Sequence, residues 1–189
     1  RSLTLIPFDT HLMINEPVKQ IQNYIDAGSD IVTVHTEVCD ESSFGEIHDL
    51  SKSNKVSVGL AINPDTPMPE WSKKFIPTLD QVIVMSVVPG KSGQKYIENT
   101  HEKTKNLMVN LKENGFTGYI EADGGVILDN IGECFADGAR AFVGGSAIIG
   151  QTDVRLVIRE FRNQVLRTRR KLLIQKANEL GGTELVKKW

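Results

Sequence analysis

The feature that most constrains this chain is a repeated unit: a short apolar run, then a stretch with helical spacing. β-rich runs fall at residues 5–12, 30–35, 56–62, 81–88, 118–122 and 140–144. Most starts lie about 22–26 residues apart, which is the length of one strand, one helix and two turns. Strands that alternate with helices predict parallel pairing, because parallel neighbours need a crossover between them. Runs such as Ile31-Val32-Thr33-Val34 and Val82-Ile83-Val84-Met85 are apolar on both sides, as expected of strands covered on both faces. Pro17 sits where a first helical turn tolerates it, Val18, Ile21 and Ile25 follow at helical spacing, and Gly28 closes the helix. Gly115 and Gly138 play the same part after residues 106–114 and 130–137.

Charge and length narrow the class. The 189 residues amount to one domain, and the net charge of −2 argues against a chain that coats nucleic acid. The charge is uneven: residues 153–189 hold ten Lys/Arg against four Asp/Glu, whereas residues 1–152 hold twelve against twenty. Two cysteines, Cys39 and Cys134, exclude a disulfide scaffold and fit a reducing, cytoplasmic compartment. No apolar run reaches the ~20 residues of a membrane span. The chain opens Arg1-Ser2-Leu3 without Met, so a processed form or part of a longer chain is expected. Residues 153–179 read as one long helix with Val154, Ile158, Phe161, Val165, Leu172 and Leu173 on one side, ended by Gly181-Gly182. Its run Arg167-Thr168-Arg169-Arg170-Lys171 reads as a solvated face, since no aromatics interleave to stack bases. The organisation expected is a partial barrel domain over residues 1–166 and a basic helical extension over residues 167–189.

In parallel α/β folds the ligand lies at the carboxyl ends of the strands. Those ends carry His11, then His35 and Glu37, Asn63, Ser86 with the loop Pro89-Gly90-Lys91-Ser92-Gly93-Gln94, Asp123-Gly124-Gly125, and Gly144-Gly145-Ser146. Glycine lets a backbone approach a ligand and turn its N–H groups toward it, so three glycine loops at one end point to a phosphate site. The phosphate-binding set is Gly90, Lys91, Ser92, Gly93, Gly124, Gly125, Gly145 and Ser146. Imidazole and carboxylate suit a divalent metal, which makes His11 and Asp123 the metal and proton-transfer candidates. Core packing is the default reading of Met13 and Met85. His48 and His101 read as surface residues, and Cys39 as a small buried one.

These segments resemble the ribulose-phosphate 3-epimerase family from about residue 8 to residue 150. Asp9-Thr10-His11-Leu12-Met13 is similar to the family's D-V-H-L-M strand, and Val34-His35-Thr36-Glu37 to the next strand end. Gly59-Leu60-Ala61-Ile62-Asn63-Pro64-Asp65-Thr66-Pro67 matches G-x-x-x-N-P-x-T-P. Met85 to Gln94 is close to M-x-V-x-P-G-x-x-G-Q, Asp123-Gly124-Gly125 resembles V-D-G-G, and Gly145-Ser146-Ala147-Ile148 resembles the closing G-S-A-I loop.

The resemblance implies a (β/α)8 TIM barrel of ribulose-phosphate-binding type, of which about six βα units lie in this sequence. It implies an isomerase of the pentose phosphate pathway that inverts carbon 3 of D-ribulose 5-phosphate, giving D-xylulose 5-phosphate. The cofactor implied is a divalent metal (Zn, Fe, Mn or Co) on His11 and Asp123, with Asp123 also moving a proton. Met13 and Met85 would shield the ene-diolate, and a homo-oligomer is expected. The family pattern has two further βα units ahead of the D-V-H-L-M strand, bearing an H-x-D pair, and these 189 residues do not include them. Lys91-Ser92 also departs from the family's turn. A six-carbon ketose phosphate epimerase or a non-catalytic sugar-phosphate-binding barrel are the alternatives. Synthases and decarboxylases of this barrel type show D-x-K-x-x-D, which is not found here.

Overall fold

The computed structural model describes residues 3–91 and 93–179. Ser92 and the glycine pair Gly181-Gly182 lie outside the described residues. Six strands form one parallel sheet in chain order: β1 (Asp9–Leu12), β2 (Ile31–His35), β3 (Ser57–Ile62), β4 (Gln81–Met85), β5 (Tyr119–Asp123) and β6 (Ala139–Val143). Among the described residues five α-helices accompany them: α1 (Ile21–Asp26), α2 (Glu41–Ser53), α3 (Thr100–Glu113), α4 (Ile131–Asp137) and α5 (Val154–Glu179). The β3–β4 crossover is made by two short 3-10 turns, Glu70–Lys74 and Ile76–Thr78. Asp40 starts α2 with a reciprocal capping box, its carboxylate accepting from the Ser43 N–H while Ser43 Oγ accepts from the Asp40 N–H.

The sheet is strongly curled. In hydrogen-bonding order β1 and β5 are four strands apart, yet His11 on β1 touches Asp123 on β5, and Gln81 on β4 reaches Asp9 on β1 at 3.2 Å. Such contacts require the sheet to close partway round an interior. This is the half-barrel expected from six of eight βα units.

The two faces of the sheet carry different residues. The outer face presents Val32, Val34, Val58, Leu60, Val82 and Ile120 to the helices, where Phe44, Ile47 and Leu111 complete the main core. Phe44 packs edge-on against Phe75 with ring centroids 4.9 Å apart, and Trp71 lies against both. The inner face has a smaller apolar cluster of Ala61, Ile83, Met85 and Val87 beside the polar residues that build the site.

The structure corrects four sequence expectations. Strand β1 begins at Asp9 because pairing to β2 begins there (Asp9 opposite Ile31), and Leu5 and Ile6 are exposed. His48 is not a surface residue: it packs beside Phe44 and Phe75, and its Nε2 lies 3.0 Å from Thr78 Oγ1. His101 is likewise largely covered, paired with the buried Asp137. Helix α5 is continuous as expected, but Leu172 and Leu173 are exposed and only Phe161 is fully buried on it. The cause is length. With 1.5 Å per residue, α5 runs about 39 Å and α4 only about 10 Å, so the later turns outrun the helix they pack on. The contact between them is close where Thr168 crosses Gly132: a Cβ there would lie 2.7 Å from Thr168 Oγ1. Among the described residues no helix is long and apolar enough to cross a membrane.

Candidate active site

The carboxyl ends of β1, β2 and β5 bring four titratable side chains into one line. His11 Nδ1 lies 3.1 Å from Asp123 Oδ2, and His11 Nε2 lies 2.8 Å from His35 Nε2. His35 Nδ1 lies 3.2 Å from Glu37 Oε2. The two imidazole planes lie 16° off parallel with centroids 4.9 Å apart, so the rings meet through their Nε2 edges. His35 is buried, and His11 and Asp123 are mostly covered. Burial alone would raise the Glu37 carboxyl. Hydrogen bonds from His35, the Asn63 N–H and Thr66 outweigh that and hold it at about 2. Glu37 is therefore an anion at any working pH.

The line is anchored by a residue that sequence reasoning passed over. Lys103, on α3, donates to the carbonyl of Asn63 and to those of Pro64 (3.0 Å) and Thr66 (2.7 Å). Burial lowers its pKa to about 8, while Glu37 and Asp65 pull the other way. The ammonium fixes the loop after β3, and that loop offers the Asn63 N–H to Glu37 Oε1 at 2.8 Å. The sequence signal available was a lysine at a helix start opposite a proline-bracketed loop, which is too common to single out.

The second feature is a cleft of about 900 Å³ beside Asp123. Met13 and Met85 line it; Met85 is buried and Met13 half-exposed. The three glycine loops form its far wall, contributing Gly90, Lys91, Gly93, Gly124, Gly125, Gly145 and Ser146. Gln94 clamps the first loop by donating from Nε2 to the carbonyls of Val88 (2.6 Å) and Lys91 (2.8 Å). Gly124 and Gly125 must be glycine. Both have positive φ (113° and 63°), and a Cβ on either would lie 2.4 Å from Val87 Cγ2 or from the Tyr96 N. Ser86 ties the end of β4 to this turn, its Oγ donating to the carbonyls of Asp123 and Gly124. The structure thus gathers the predicted loop residues other than Ser92 into one cleft, and places His11 next to it through Asp123.

Glu121 is the other residue missed. It points inward two positions before Asp123 and is buried. Burial, then the neighbouring Asp9, then Asp123 push its pKa up to about 8. Among the described residues no group of three or more His, Cys, Asp or Glu is arranged to hold a metal. What converges is one imidazole nitrogen and one carboxylate oxygen, a donor pair that suits a divalent metal.

A parallel curled sheet with its polar cleft at the strands' carboxyl ends defines a fold of the TIM-barrel class. Solved structures of that class superimpose on it. 3-Hexulose-6-phosphate synthase from Salmonella typhimurium gives a TM-score of 0.60 at 19% identity, over 85% of this chain and 72% of that one. 3-Keto-L-gulonate-6-phosphate decarboxylase from Vibrio cholerae gives 0.60 at 14% identity, over 84% and 71%. At these identities the likeness is one of fold. The family model described as "Ribulose-phosphate 3 epimerase family" matches residues 1–149, and the chain belongs to that family. The ribulose-phosphate 3-epimerase of Escherichia coli K12 is 37% identical over 159 residues, covering 84% of this chain and 69% of the relative. That of Bacillus subtilis is 37% identical over 163 residues, covering 86% and 74%. The chloroplastic ribulose-5-phosphate-3-epimerase of Arabidopsis thaliana is 38% identical over 156 residues, covering 81% and 54%.

Proposed function

We propose that the chain epimerises D-ribulose 5-phosphate at carbon 3 to D-xylulose 5-phosphate, with Asp123 as the proton-transfer group. The observation that carries this reading is the place of Asp123. One face of its carboxylate meets His11, and the other side opens onto the glycine-walled cleft. The substrate phosphate rests on the backbone N–H groups of residues 90, 91, 93, 124–125 and 145–146, where an acidic chain captures an anion largely through its backbone. Lys91 is the exception, a cation on the first loop. That anchor sets carbon 3 beside Asp123, whose Oδ1 takes the proton next to the carbonyl while Oδ2 stays with His11. A proton returned from the opposite face completes inversion. The resemblance assigns that step to a second carboxylate on βα units that the family carries ahead of β1. Met13 and Met85 keep water from the ene-diolate. A divalent metal held by His11 and Asp123 would stabilise the negative charge that develops on the ene-diolate oxygens.

The reaction belongs in a reducing cytoplasm. Cys39 and Cys134 are both free thiols, and burial first of all pushes each up to about 11, so neither is a ready nucleophile. The test is an epimerase assay on D-ribulose 5-phosphate with added divalent cation. Asp123→Asn should abolish turnover and leave sugar-phosphate affinity within about twofold. Near-normal turnover in that variant would remove Asp123 from the role.

A further inference from the structure

We propose that His35 and Glu37 are positioning residues that hold His11 in its Nε2–H tautomer and so aim the bare Nδ1 of His11 at the Asp123 carboxylate. The inference rests on the reading of His11 and Asp123 as the cation-holding pair. It follows from donor and acceptor counting along the line of side chains.

Glu37 is the fixed end. Oε1 accepts the Asn63 N–H at 2.8 Å, and Oε2 faces both His35 Nδ1 and the Thr36 hydroxyl. Both oxygens are acceptors, so His35 Nδ1 must carry a hydrogen and donate. A neutral His35 then has an unprotonated Nε2, which can only accept. Its partner is His11 Nε2 at 2.8 Å, which must therefore be N–H. A neutral His11 so arranged presents a lone pair from Nδ1 to Asp123 Oδ2, 3.1 Å away. Two acceptors face each other there, an arrangement that repels unless a positive charge sits with them. The hydrogen bonds to His35 and Glu37 thereby make His11 and Asp123 receptive to a cation. Metal-ligating histidines are generally oriented in this way through their second nitrogen.

The exchange Glu37→Gln tests the counting directly, because it should reverse the line without changing its shape. The Asn63 N–H keeps the amide carbonyl on its side, so the amide NH2 faces His35. His35 Nδ1 then accepts, His35 Nε2–H donates, His11 Nε2 accepts, and His11 Nδ1–H donates to Asp123. Histidine tautomers are read by long-range 1H–15N NMR on the full chain labelled with 15N-histidine, metal-free, at pH about 8, above the ordinary imidazole range. Cobalt(II) affinity is read on the same proteins from its visible absorption. The expected result is an Nε2–H His11 in wild type, an Nδ1–H His11 in E37Q, and a cobalt affinity about 10–100-fold weaker in E37Q. The same tautomer in both proteins, or equal cobalt affinity, overturns the proposal. Should E37Q fail to fold, the wild-type spectrum decides alone: Nδ1–H, or a doubly protonated ring, overturns it. Epimerase assays on the same samples separate the two readings. A tautomer that reverses in a chain with no epimerase activity upholds the relay and removes the function. An active wild type whose E37Q variant keeps tautomer and cobalt affinity does the opposite.

Discussion

Glu121→Gln should change how stability depends on pH. Glu121 faces the interior of the curled sheet, 7% exposed, with Asp9 as its neighbour and Asp123 two residues on. Burial, reinforced by those carboxylates, raises its folded-state value from 4.5 to about 8. An unfolded chain loses this proton near 4.5, so between the two values the folded state holds one proton more. Stability then falls as pH rises, at up to about 1.4 kcal/mol per pH unit, and levels off once the folded form also ionises. From pH 5 to pH 7 this amounts to about 2 kcal/mol. Glutamine is neutral throughout and can donate to Asp9 as the protonated acid does, so the variant lacks this slope. Urea unfolding of both proteins at pH 5, 6, 7 and 8 gives the difference in stability, in which the contributions of other groups cancel. The variant should gain on wild type with each unit of pH. Two stability curves that run parallel across that range would refute the account, and so would a variant that loses ground as pH rises.

Three further outcomes are expected. Phe44→Ala removes the centre of the Phe75 and Trp71 cluster at a position with no exposure, and should cost about 3–5 kcal/mol in urea unfolding at any pH. Lys103→Met leaves the carbonyls of Asn63, Pro64 and Thr66 without their donor, and should cost about 3 kcal/mol and release the Asn63 N–H to faster hydrogen exchange. Among the described residues the outer edges of β1 and β6 have no strand partner, so sedimentation should show association that weakens with dilution.

The sequence made the strands and their ends legible because both depend on local pattern. Apolar runs of fixed spacing located five of six strands to within a residue or two at their starts, and strand ends in a parallel fold are where polar side chains collect. His11, Asp123 and the glycine loops were visible on that ground. Helix α5 was legible as a helix for the same reason, but the exposure of Leu172 and Leu173 was not, since it depends on how far α4 extends beside it.

The contacts that give the site its chemistry depend on curl, which no local pattern encodes. His11 and His35 lie 24 residues apart, and the β1–β2 register that sets His11 opposite Thr33 makes His35 its diagonal neighbour on the same face. His11 and Asp123 are 112 residues apart on strands that do not pair. The same closure brings Asp9 to Glu121 one layer deeper, where one carboxyl must keep its proton. The two layers are thus opposite electrostatic solutions to one geometry. In the deep layer, away from solvent, burial and the neighbouring Asp9 favour the protonated form of Glu121. At the mouth, Glu37 is ionised and held by backbone and side-chain donors, and the hydrogen-bonded line turns that fixed charge into a defined tautomer beside Asp123. A chain that curls its first strand against its fifth must settle these charges, and it does so with Asp123 set where the cleft opens.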